Sequence, residues 1–443
     1  MKNSGIEWIG EIPEDWEVTK ILNCLRKRIS DGPHETPTYV EKGIPFISVD
    51  SLNETEYVDL SFVNRYISEE DSLEYSKKAN LEENDILFSK AATIGKTAII
   101  HADEKFMVWS PIAILKTNSR LDNRFLYFLL NYDGLITHIR FLGSINTQIN
   151  VGMRELEQAR IPLPPKSIQQ RIASYLDKKC SKIDETIQNQ QQVIEKLKAY
   201  KQSLITEAVT GKIKIQNGKV CGKYESYKES GVEYLGKIPS NWNVKRLRYI
   251  GKCQNGISKG GEFFGSGYPF VSYGDVYNNL TLPETVSGLI ESTPEEQENY
   301  SVKAGDIFFT RTSETIEEVG FTSVCLKTIE KATFAGFVIR VRPFTDELIP
   351  DYSKYYFSSD AHRRFFVKEM NLVTRASLSQ DLLKRLPVLI PSKEEQKEIA
   401  DYLDKKCIAI DTAIEQKQKL IEKLTEYKKS LIYECVTGKK EVN

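Results

Sequence analysis

The sequence predicts an α+β protein in which two mixed α/β globular domains are separated by two long helices, paired as an antiparallel coiled coil with pseudo-twofold symmetry. The first observation is a helical segment that occurs twice at a constant offset, since residues 175–180 and residues 402–407 both read Tyr-Leu-Asp-Lys-Lys-Cys. The second is an opening phrase, residues 4–18, that returns as residues 230–244. Duplication without insertion is expected where two long helices must stay in register.

The first globular domain is predicted to span residues 1–164 and the second residues 230–391. Short apolar runs rich in β-branched and aromatic residues, bounded by Gly, Pro, Asn and Asp, indicate strands in both domains. Helices are predicted from Leu121 to Asn131 and from Asp351 to Val367, so that each domain surrounds an irregular sheet. The predicted strands include residues 43–50, 84–90, 112–115, 267–275, 305–311 and 337–341.

The long helices are predicted at residues 165–212 and 392–443, with a linker at residues 213–229. Prolines at 162–165 and 387–391 end the globular domains, because proline disfavours helical geometry in the residue before it. Apolar residues then recur at steps of three and four, which makes one apolar stripe per helix. Polar residues interrupt both stripes and are expected to fix the register of the pair; they are Gln190, Lys201, Lys417 and Lys428. An antiparallel return would place the two globular domains at opposite ends of a rod.

The composition argues against a polycationic surface, since 61 basic and 62 acidic residues give a net charge of −1 in a chain of 443 residues. Any contact with nucleic acid must therefore rest on local patches. The seven cysteines lack CxxC pairs and are odd in number, which predicts free thiols in a reducing cytoplasm. No apolar run approaches the roughly 20 residues of a membrane span, so we expect a cytoplasmic protein without membrane contact.

The search for catalytic residues predicts a chain without chemistry of its own. Gly95-Lys96-Thr97 resembles the end of a phosphate-binding loop, but Lys90 stands where its first glycine is needed, and a turn before a strand is the better interpretation. The four histidines have no second ligand type at metal-binding spacing. The Asn/Asp-Pro-Pro-Tyr type motif of amino-methyltransferases is absent.

Basic and amide residues cluster late in each domain and form the set that a base reader requires. Arginine and lysine neutralise phosphates or pair with guanine, whereas asparagine and glutamine pair with adenine. Ordinary solvated charge is an equally good interpretation of any single residue. The cluster comprises Lys90, Lys96, Arg120, Arg124, His138, Arg140, Asn146, Gln148 and Asn150 in the first domain, and Arg311, Arg340, Arg342, Arg363, Arg364 and Arg375 in the second.

The order and spacing of three phrases resemble the DNA-specificity (S) subunit of type I restriction–modification systems. Each domain opens with Gly-x-Ile-Pro-x-x-Trp, at residues 10–16 and 236–242, and closes with a proline-rich strand. A long helix then carries Gln-Arg-Ile-Ala-Ser-Tyr-Leu-Asp at 170–177, or Gln-Lys-Glu-Ile-Ala-Asp-Tyr-Leu-Asp at 396–404. The resemblance covers nearly the whole chain.

This resemblance implies two target-recognition domains, each reading one half of a split double-stranded DNA sequence, and a spacer made by the helices. It also implies two methyltransferase (M) subunits that carry S-adenosylmethionine, and restriction/translocase (R) subunits that join for cleavage. This chain itself would hold no cofactor and no metal. The expected spacer and docking residues are Tyr175, Leu176, Ile183, Ile187, Ile194, Leu197, Leu204, Tyr402, Leu403, Ile410, Ile414, Ile421, Leu424 and Leu431.

The DNA-contacting residues are expected in four loops. Residues 143–148, Gly-Ser-Ile-Asn-Thr-Gln, resemble the polar stretch that ends a recognition domain of the family, whereas residues 372–377 depart from it. Different residues at matching positions suit two different half-sites. The expected DNA contacts are Lys90, Lys96, Ser144, Asn146, Gln148, Asn150, Arg311, Thr312, Arg363, Arg375 and Ser377.

Two other functions compete with this interpretation. An enzyme that modifies or cuts DNA alone would turn over DNA as a purified chain, and the missing catalytic motifs argue against it. A coiled-coil scaffold with two protein-binding heads would not bind DNA with a methyltransferase partner, and it leaves the basic clusters unexplained.

Overall fold

The computed structural model describes residues 1–52, 56–101, 105–142, 150–313, 315, 318–369 and 376–442. The chain divides into two compact units, of which the first comprises Met1–Gln190 with Gln418–Asn443 and the second Gln191–Lys417. Each unit therefore contains one globular part and one half of each long helix. The long helices are thus divided between the units at Gln190 and Lys417, and the predicted boundaries at residues 165, 213, 230 and 392 stay a prediction. Among the described residues, no helix is both long and apolar enough to cross a membrane.

Within its described residues, the globular part of the first unit has eleven strands and four short α-helices. The strands are Lys2–Asn3, Glu11–Ile12, Glu17–Lys20, Ser30–Asp31, Ile44–Ile47, Tyr66–Ile67, Ile86–Ser89, Thr97–Ile99, Met107–Val108, Ile112–Leu115 and Arg160–Leu163, and the helices are Glu69–Ser76, Asn123–Leu130, Asp133–Leu142 and Met153–Gln158.

In the part of the second unit that the structure describes, the globular part has fifteen strands and five short α-helices. The strands are Lys214–Gln216, Lys219–Gly222, Tyr227–Glu229, Lys237–Pro239, Asn243–Arg246, Gly251–Asn255, Phe264–Val271, Leu289–Ile290, Ile307–Thr310, Thr312–Ser313, Thr322–Val324, Thr333–Phe334, Val338–Pro343, Ala376–Ser377 and Pro387–Ile390, and the helices are Tyr273–Asn278, Pro294–Asn299, Pro350–Ser358, Asp360–Glu369 and Gln380–Arg385.

The two larger sheets have the same topology in both units although the sequences diverge. Each unit contains a four-stranded antiparallel sheet. When the four strands are numbered along the chain, they lie side by side in the order 1-4-2-3. Each unit also contains a three-stranded sheet with one antiparallel and one parallel pair. A large core packs the four-stranded sheet against helices and a smaller core lies beneath the three-stranded sheet. The mixed α/β class predicted for each globular domain is therefore confirmed.

The long helices span Lys166–Val209 and Lys393–Val436. In the first unit Lys428 pairs with Asp184 at 2.7 Å, and in the second unit Lys201 pairs with Asp411 at 2.6 Å. The two pairs occupy repeat-equivalent positions with the roles of the helices exchanged, and the helix segments within each unit run antiparallel. Two of the polar interruptions, Lys201 and Lys428, thus hold defined cross-helix partners.

A buried glutamine fixes the start of each long helix. Gln169 donates to the carbonyls of Arg120 and Pro164, both at 2.8 Å, and accepts from the Asp122 backbone at 2.7 Å. Gln396 makes the same three kinds of hydrogen bond with Glu347, Pro391 and Ile349. Each glutamine uses both amide hydrogens and its carbonyl oxygen, so its buried side chain ties the helix start to the globular part by three hydrogen bonds.

The end of each long helix packs on a duplicated opening phrase. Gly211 has φ +70° and lies against Pro239 and Trp242 in the second unit. Gly438 has φ +73° and lies against Pro13 and Trp16 in the first unit. Both tryptophans are buried. The predicted helix stops at these glycines are confirmed, and the Pro-x-x-Trp phrase is the surface on which each helix ends.

Several local predictions need correction, among them the strand predicted at residues 267–275, which ends at Val271 and is followed by the helix Tyr273–Asn278. The linker predicted at residues 213–229 contains a hairpin, Lys214–Gln216 with Lys219–Gly222, and a further strand, Tyr227–Glu229. The helix predicted from Asp351 to Val367 is two helices separated at Ser359, whose backbone is extended. The strand predicted to begin at Phe337 begins one residue later, at Val338.

We predict that Gly438→Ala destabilises the chain by roughly 2–5 kcal/mol, because alanine would combine left-handed backbone strain with overpacking. Its Cβ would lie 2.4 Å from Cδ of Pro13. Thermal unfolding of the full chain measures the effect. Gly5→Ala is the matched control in the same unit, because Gly5 has φ +71° but nothing within 4 Å of the added Cβ. Equal destabilisation by both variants would contradict the role given to the contact.

Candidate nucleic-acid interface

Three predicted DNA-contacting residues of the second unit lie together at the end of the strand Ile307–Thr310. The Arg311 N–H donates to the Phe337 carbonyl at 2.9 Å, and the Leu378 N–H donates to the Arg311 carbonyl at 2.7 Å. Thr312 pairs with Ser377 in a short antiparallel ladder. Backbone hydrogen bonds therefore join segments that lie far apart in the sequence and place Arg311, Thr312 and Ser377 side by side.

The first unit repeats this arrangement. The Lys90 N–H donates to the Pro111 carbonyl at 2.9 Å, and the Val151 N–H donates to the Lys90 carbonyl at 2.8 Å. Asn150 directly precedes Val151 and is exposed, as Ser377 is before Leu378. We call these three equivalent positions the surface row: Pro111, Lys90 and Asn150 in the first unit, and Phe337, Arg311 and Ser377 in the second.

The central residues of the two rows differ in their electrostatic surroundings. Lys90 is only 8% exposed, and its ammonium lies 3.1 Å from the buried carboxylate of Asp31. Lys78 also pairs with Asp31, at 2.7 Å. Burial alone would raise the pKa of Asp31, but the two lysines outweigh it and lower that pKa. In the structure Lys90 therefore holds a neighbouring strand and does not present a free charge to solvent.

Arg311 lacks such a carboxylate at the equivalent position. In the first unit Asp31 lies opposite Ala113 in the sheet. In the second unit Asn255 lies opposite Ile339, which is equivalent to Ala113, so Asn255 takes the place of Asp31. Asn255 is neutral, and it accepts a hydrogen bond from Gln380 at 3.0 Å. Arg311 is half-buried, and among the described residues no carboxylate forms an ion pair with it. The second row thus offers a guanidinium where the first offers a neutralised lysine.

An aromatic cluster connects Arg363 with the second row. The Tyr273 hydroxyl donates to the Thr312 carbonyl at 2.9 Å, and the Tyr273 ring stacks on Tyr277 with 5.9 Å between centroids. Tyr277 contacts Phe321 at 5.0 Å, and the Arg363 guanidinium lies 4.8 Å from the centre of the Phe321 ring. Arg363 also donates to the Val319 carbonyl. Arg363 is thus part of the same region, held by a cation–π contact.

The remaining predicted contacts are placed less directly. The Lys96 ammonium donates to the Val49 carbonyl at 3.1 Å, which ties its loop to the neighbouring segment. Ser144, Asn146, Gln148 and Arg375 lie outside the described residues. Their DNA-contacting role, like that of the other residues in the set, stays a prediction.

The basic surface is narrower than the sequence predicted, because several of its arginines have internal partners. Arg120 pairs with Glu17, and Arg124 pairs with Asp177 at 2.5 Å. Arg342 pairs with Asp306 at 2.5 Å. Arg340 is buried, and burial lowers its pKa to about 10. Arg140 and Arg364 remain exposed.

The fourteen residues predicted for spacing and docking are all buried or half-buried. Leu176, Ile183 and Leu431 belong to the large core of the first unit, and Leu204 and Leu403 to that of the second. They pack the helices inside their units, and their docking role stays a prediction. The large apolar side chains exposed on the two long helices are Tyr200, Ile408, Leu420 and Tyr427.

Sequence reasoning missed the flanking position of each row, Pro111 and Phe337, and the supporting Tyr273. Both flanking residues directly precede strands that the sequence did predict, Ile112–Leu115 and Val338–Pro343. Alignment of these two strands between the repeats would have identified Pro111 and Phe337 as equivalent positions. The hydrogen bond of Tyr273 to Thr312 leaves no sequence signal, because it joins residues 39 positions apart.

The sequence matches the family described as Type I restriction modification DNA specificity domain over residues 13–199 and 239–426. The EcoKI specificity subunit of a type I restriction enzyme from Escherichia coli strain K12 is 22% identical, over 97% of this chain and 90% of that protein. The putative MjaX specificity subunit of Methanocaldococcus jannaschii is 26% identical, over 97% of this chain and 95% of that protein.

Solved structures share the fold. A chain from a study of complex assembly and conformational transition in the type I R-M system has a TM-score of 0.73 at 14% identity, over 97% of this chain and all (100%) of that chain. The HsdS subunit from Thermoanaerobacter tengcongensis has a TM-score of 0.53 at 14% identity, over 97% and 98% of the two chains.

We expect Asp31→Asn to destabilise the chain by roughly 3–5 kcal/mol, because it leaves the buried ammonium of Lys90 without a counter-charge. Chemical denaturation of the full chain measures this loss. Glu284→Gln is the control, since Glu284 and Lys327 form an ion pair at 2.9 Å with both side chains 70% exposed, and no measurable change is expected there. A stability unchanged by Asp31→Asn would show that Lys90 finds solvent instead.

Proposed function

The chain belongs to the type I restriction modification DNA specificity family, and from this premise we propose that it selects a split double-stranded DNA sequence. Each unit reads one half-site, and the long helices set the length of the unread gap between them. The selected DNA is then modified and cleaved by other subunits of the complex.

The surface rows carry this proposal. The same backbone hydrogen bonds present Pro111, Lys90 and Asn150 in one unit and Phe337, Arg311 and Ser377 in the other. A constant backbone with different side chains is what two readers of different half-sites require. A scaffold with two protein-binding heads gives no reason for this combination.

The side chains available suggest how each half-site is read. A guanidinium such as that of Arg311 can form two hydrogen bonds with the major-groove edge of guanine, and an amide such as that of Asn150 can do so with adenine. The exposed arginines Arg140 and Arg364 suit phosphates, which set the register without reading sequence. We assign Lys90 no direct contact with DNA; its role is to hold the backbone of its row.

The partners follow from the same premise. Two methyltransferase subunits, each binding S-adenosylmethionine and methylating adenine, dock on the long helices, and restriction/translocase subunits join them for cleavage in the cytoplasm. The description of the related solved structure as part of an assembling type I system supports this. The exposed Tyr200 and Tyr427 occupy equivalent positions in the repeat, which suits two copies of one partner. We assign no catalytic step to this chain.

Arg311→Ala tests the reading of a half-site. We expect a loss of roughly 5- to 150-fold at one base pair of one half-site, the value of one bidentate contact, and no change at the other half-site. Methylation of duplexes with single base changes, by the chain with its methyltransferase partner, measures this. Arg364→Ala is the control and should weaken binding uniformly. Uniform loss with Arg311→Ala, non-specific DNA included, would reassign Arg311 to a phosphate.

Insertion of seven residues into both long helices tests the spacer. The insertions belong at the unit boundaries, after Gln190 and after Lys417, which are equivalent in the repeat. Seven residues preserve the face of the helix and add about 10 Å, so we expect the gap to lengthen by about three base pairs with both half-sites intact. Methylome mapping in cells measures the gap. The control is a chain of unchanged length in which the helix residues around the two insertion sites are shuffled. An unchanged gap would exclude the helices as the ruler.

A further inference from the structure

The second surface row contains an exposed phenylalanine on a rigid turn. The Phe337 side chain is 64% exposed, while its carbonyl accepts the hydrogen bond from Arg311. A single exposed apolar side chain is ordinary in itself. Because the backbone of Phe337 is hydrogen-bonded to that of Arg311, a ligand that binds Arg311 lies close to the apolar ring of Phe337.

The backbone of this turn, residues 334–338, is held from several sides. The Ala335 N–H donates to Val271 at 3.0 Å, the Val338 N–H donates to Ala335 at 3.0 Å, and the Phe334 carbonyl accepts from Ile257 at 2.8 Å. A Cβ on Gly336 would lie 2.2 Å from Oγ of Ser258, so the turn also packs closely against that segment. The backbone from which the Phe337 side chain projects is therefore held at a defined place.

The first unit builds the same turn with another side chain. The Trp109 N–H donates to Ile47 and the Ile112 N–H donates to Trp109, both at 2.9 Å, and these bonds match those of Ala335 and Val338. Pro111 stands where the second unit has Phe337. The turn is thus a shared backbone support whose side chains differ between the units, and in the second unit Phe337 is its exposed residue. A position that distinguishes two half-sites is expected to vary in this way.

We propose that Phe337 reads a thymine in the half-site of the second unit by packing its ring against the 5-methyl group. This rests on the proposed function and adds a base-specific contact to it. In the major groove the thymine methyl is the apolar feature that separates T·A from the other base pairs, and phenylalanine is among the side chains that contact it. Arg311, joined to Phe337 through the backbone, would then read the neighbouring base pair.

The test uses the full chain with its methyltransferase partner and duplexes in which each thymine of the target is replaced singly by uracil, which lacks only the methyl group. For the unmodified chain we expect one replacement, in the half-site affected by Arg311→Ala, to weaken binding roughly three- to ten-fold, the effect of burying one methyl group. Phe337→Ala should bind the thymine and uracil duplexes equally at that position, and Phe337→Leu should retain part of the difference.

Phe344→Ala is the matched control, because Phe344 is 62% exposed in the same unit but follows the other end of the strand Val338–Pro343, about 20 Å away. It should keep the full preference for thymine. The assignment is overturned if Phe337→Ala keeps that preference, if it weakens binding to all duplexes equally, or if the half-site holds no thymine. Failure of the proposed function is distinguishable, because the unmodified complex would then methylate no split sequence at all.

Discussion

Each long helix ends at a glycine that packs on the proline and tryptophan of a duplicated opening phrase, and the rest of each unit depends on this contact. Gly438 on Pro13 closes the first unit, and Gly211 on Pro239 closes the second. Only glycine combines the left-handed backbone with so close an approach. With the buried glutamines Gln169 and Gln396 at the helix starts, both ends of each helix are attached to globular structure. This explains why the repeat is conserved at these phrases and diverges between them.

The divergent part of each unit nevertheless keeps one backbone arrangement. The four-stranded sheet places the residue after its central strand, Lys90 or Arg311, between two other segments that bind it by backbone hydrogen bonds. Backbone hydrogen bonds do not depend on the side chain, so they allow the residues of the row to change without loss of the fold. The arrangement therefore separates the residues that hold the fold, in the sheet and the helix junctions, from the residues of the surface row, to which we propose to assign specificity.

Charge is used differently in the two units. In the first, the buried carboxylate of Asp31 pairs with the buried Lys90 and with the half-exposed Lys78, so the charge of Lys90 is compensated inside the protein. In the second, aromatic side chains support the row, since Tyr273, Tyr277 and Phe321 lead from Thr312 to Arg363. The two units thus carry unlike surfaces on one topology, and the family model accordingly matches each half of the chain separately.

The sequence by itself determined the duplication, the two long helices, their stops at Gly211 and Gly438, most strands and the family, because these depend on local periodicity and on repeated phrases. It did not determine which basic residues are available for DNA. Lys90 and Arg311 follow equivalent strands, and their difference is decided by Asp31 against Asn255 on a neighbouring strand. Sheet pairing brings those residues together from about 55 to 60 positions away, and ion pairing depends on distance in space. Only the tertiary structure could decide it.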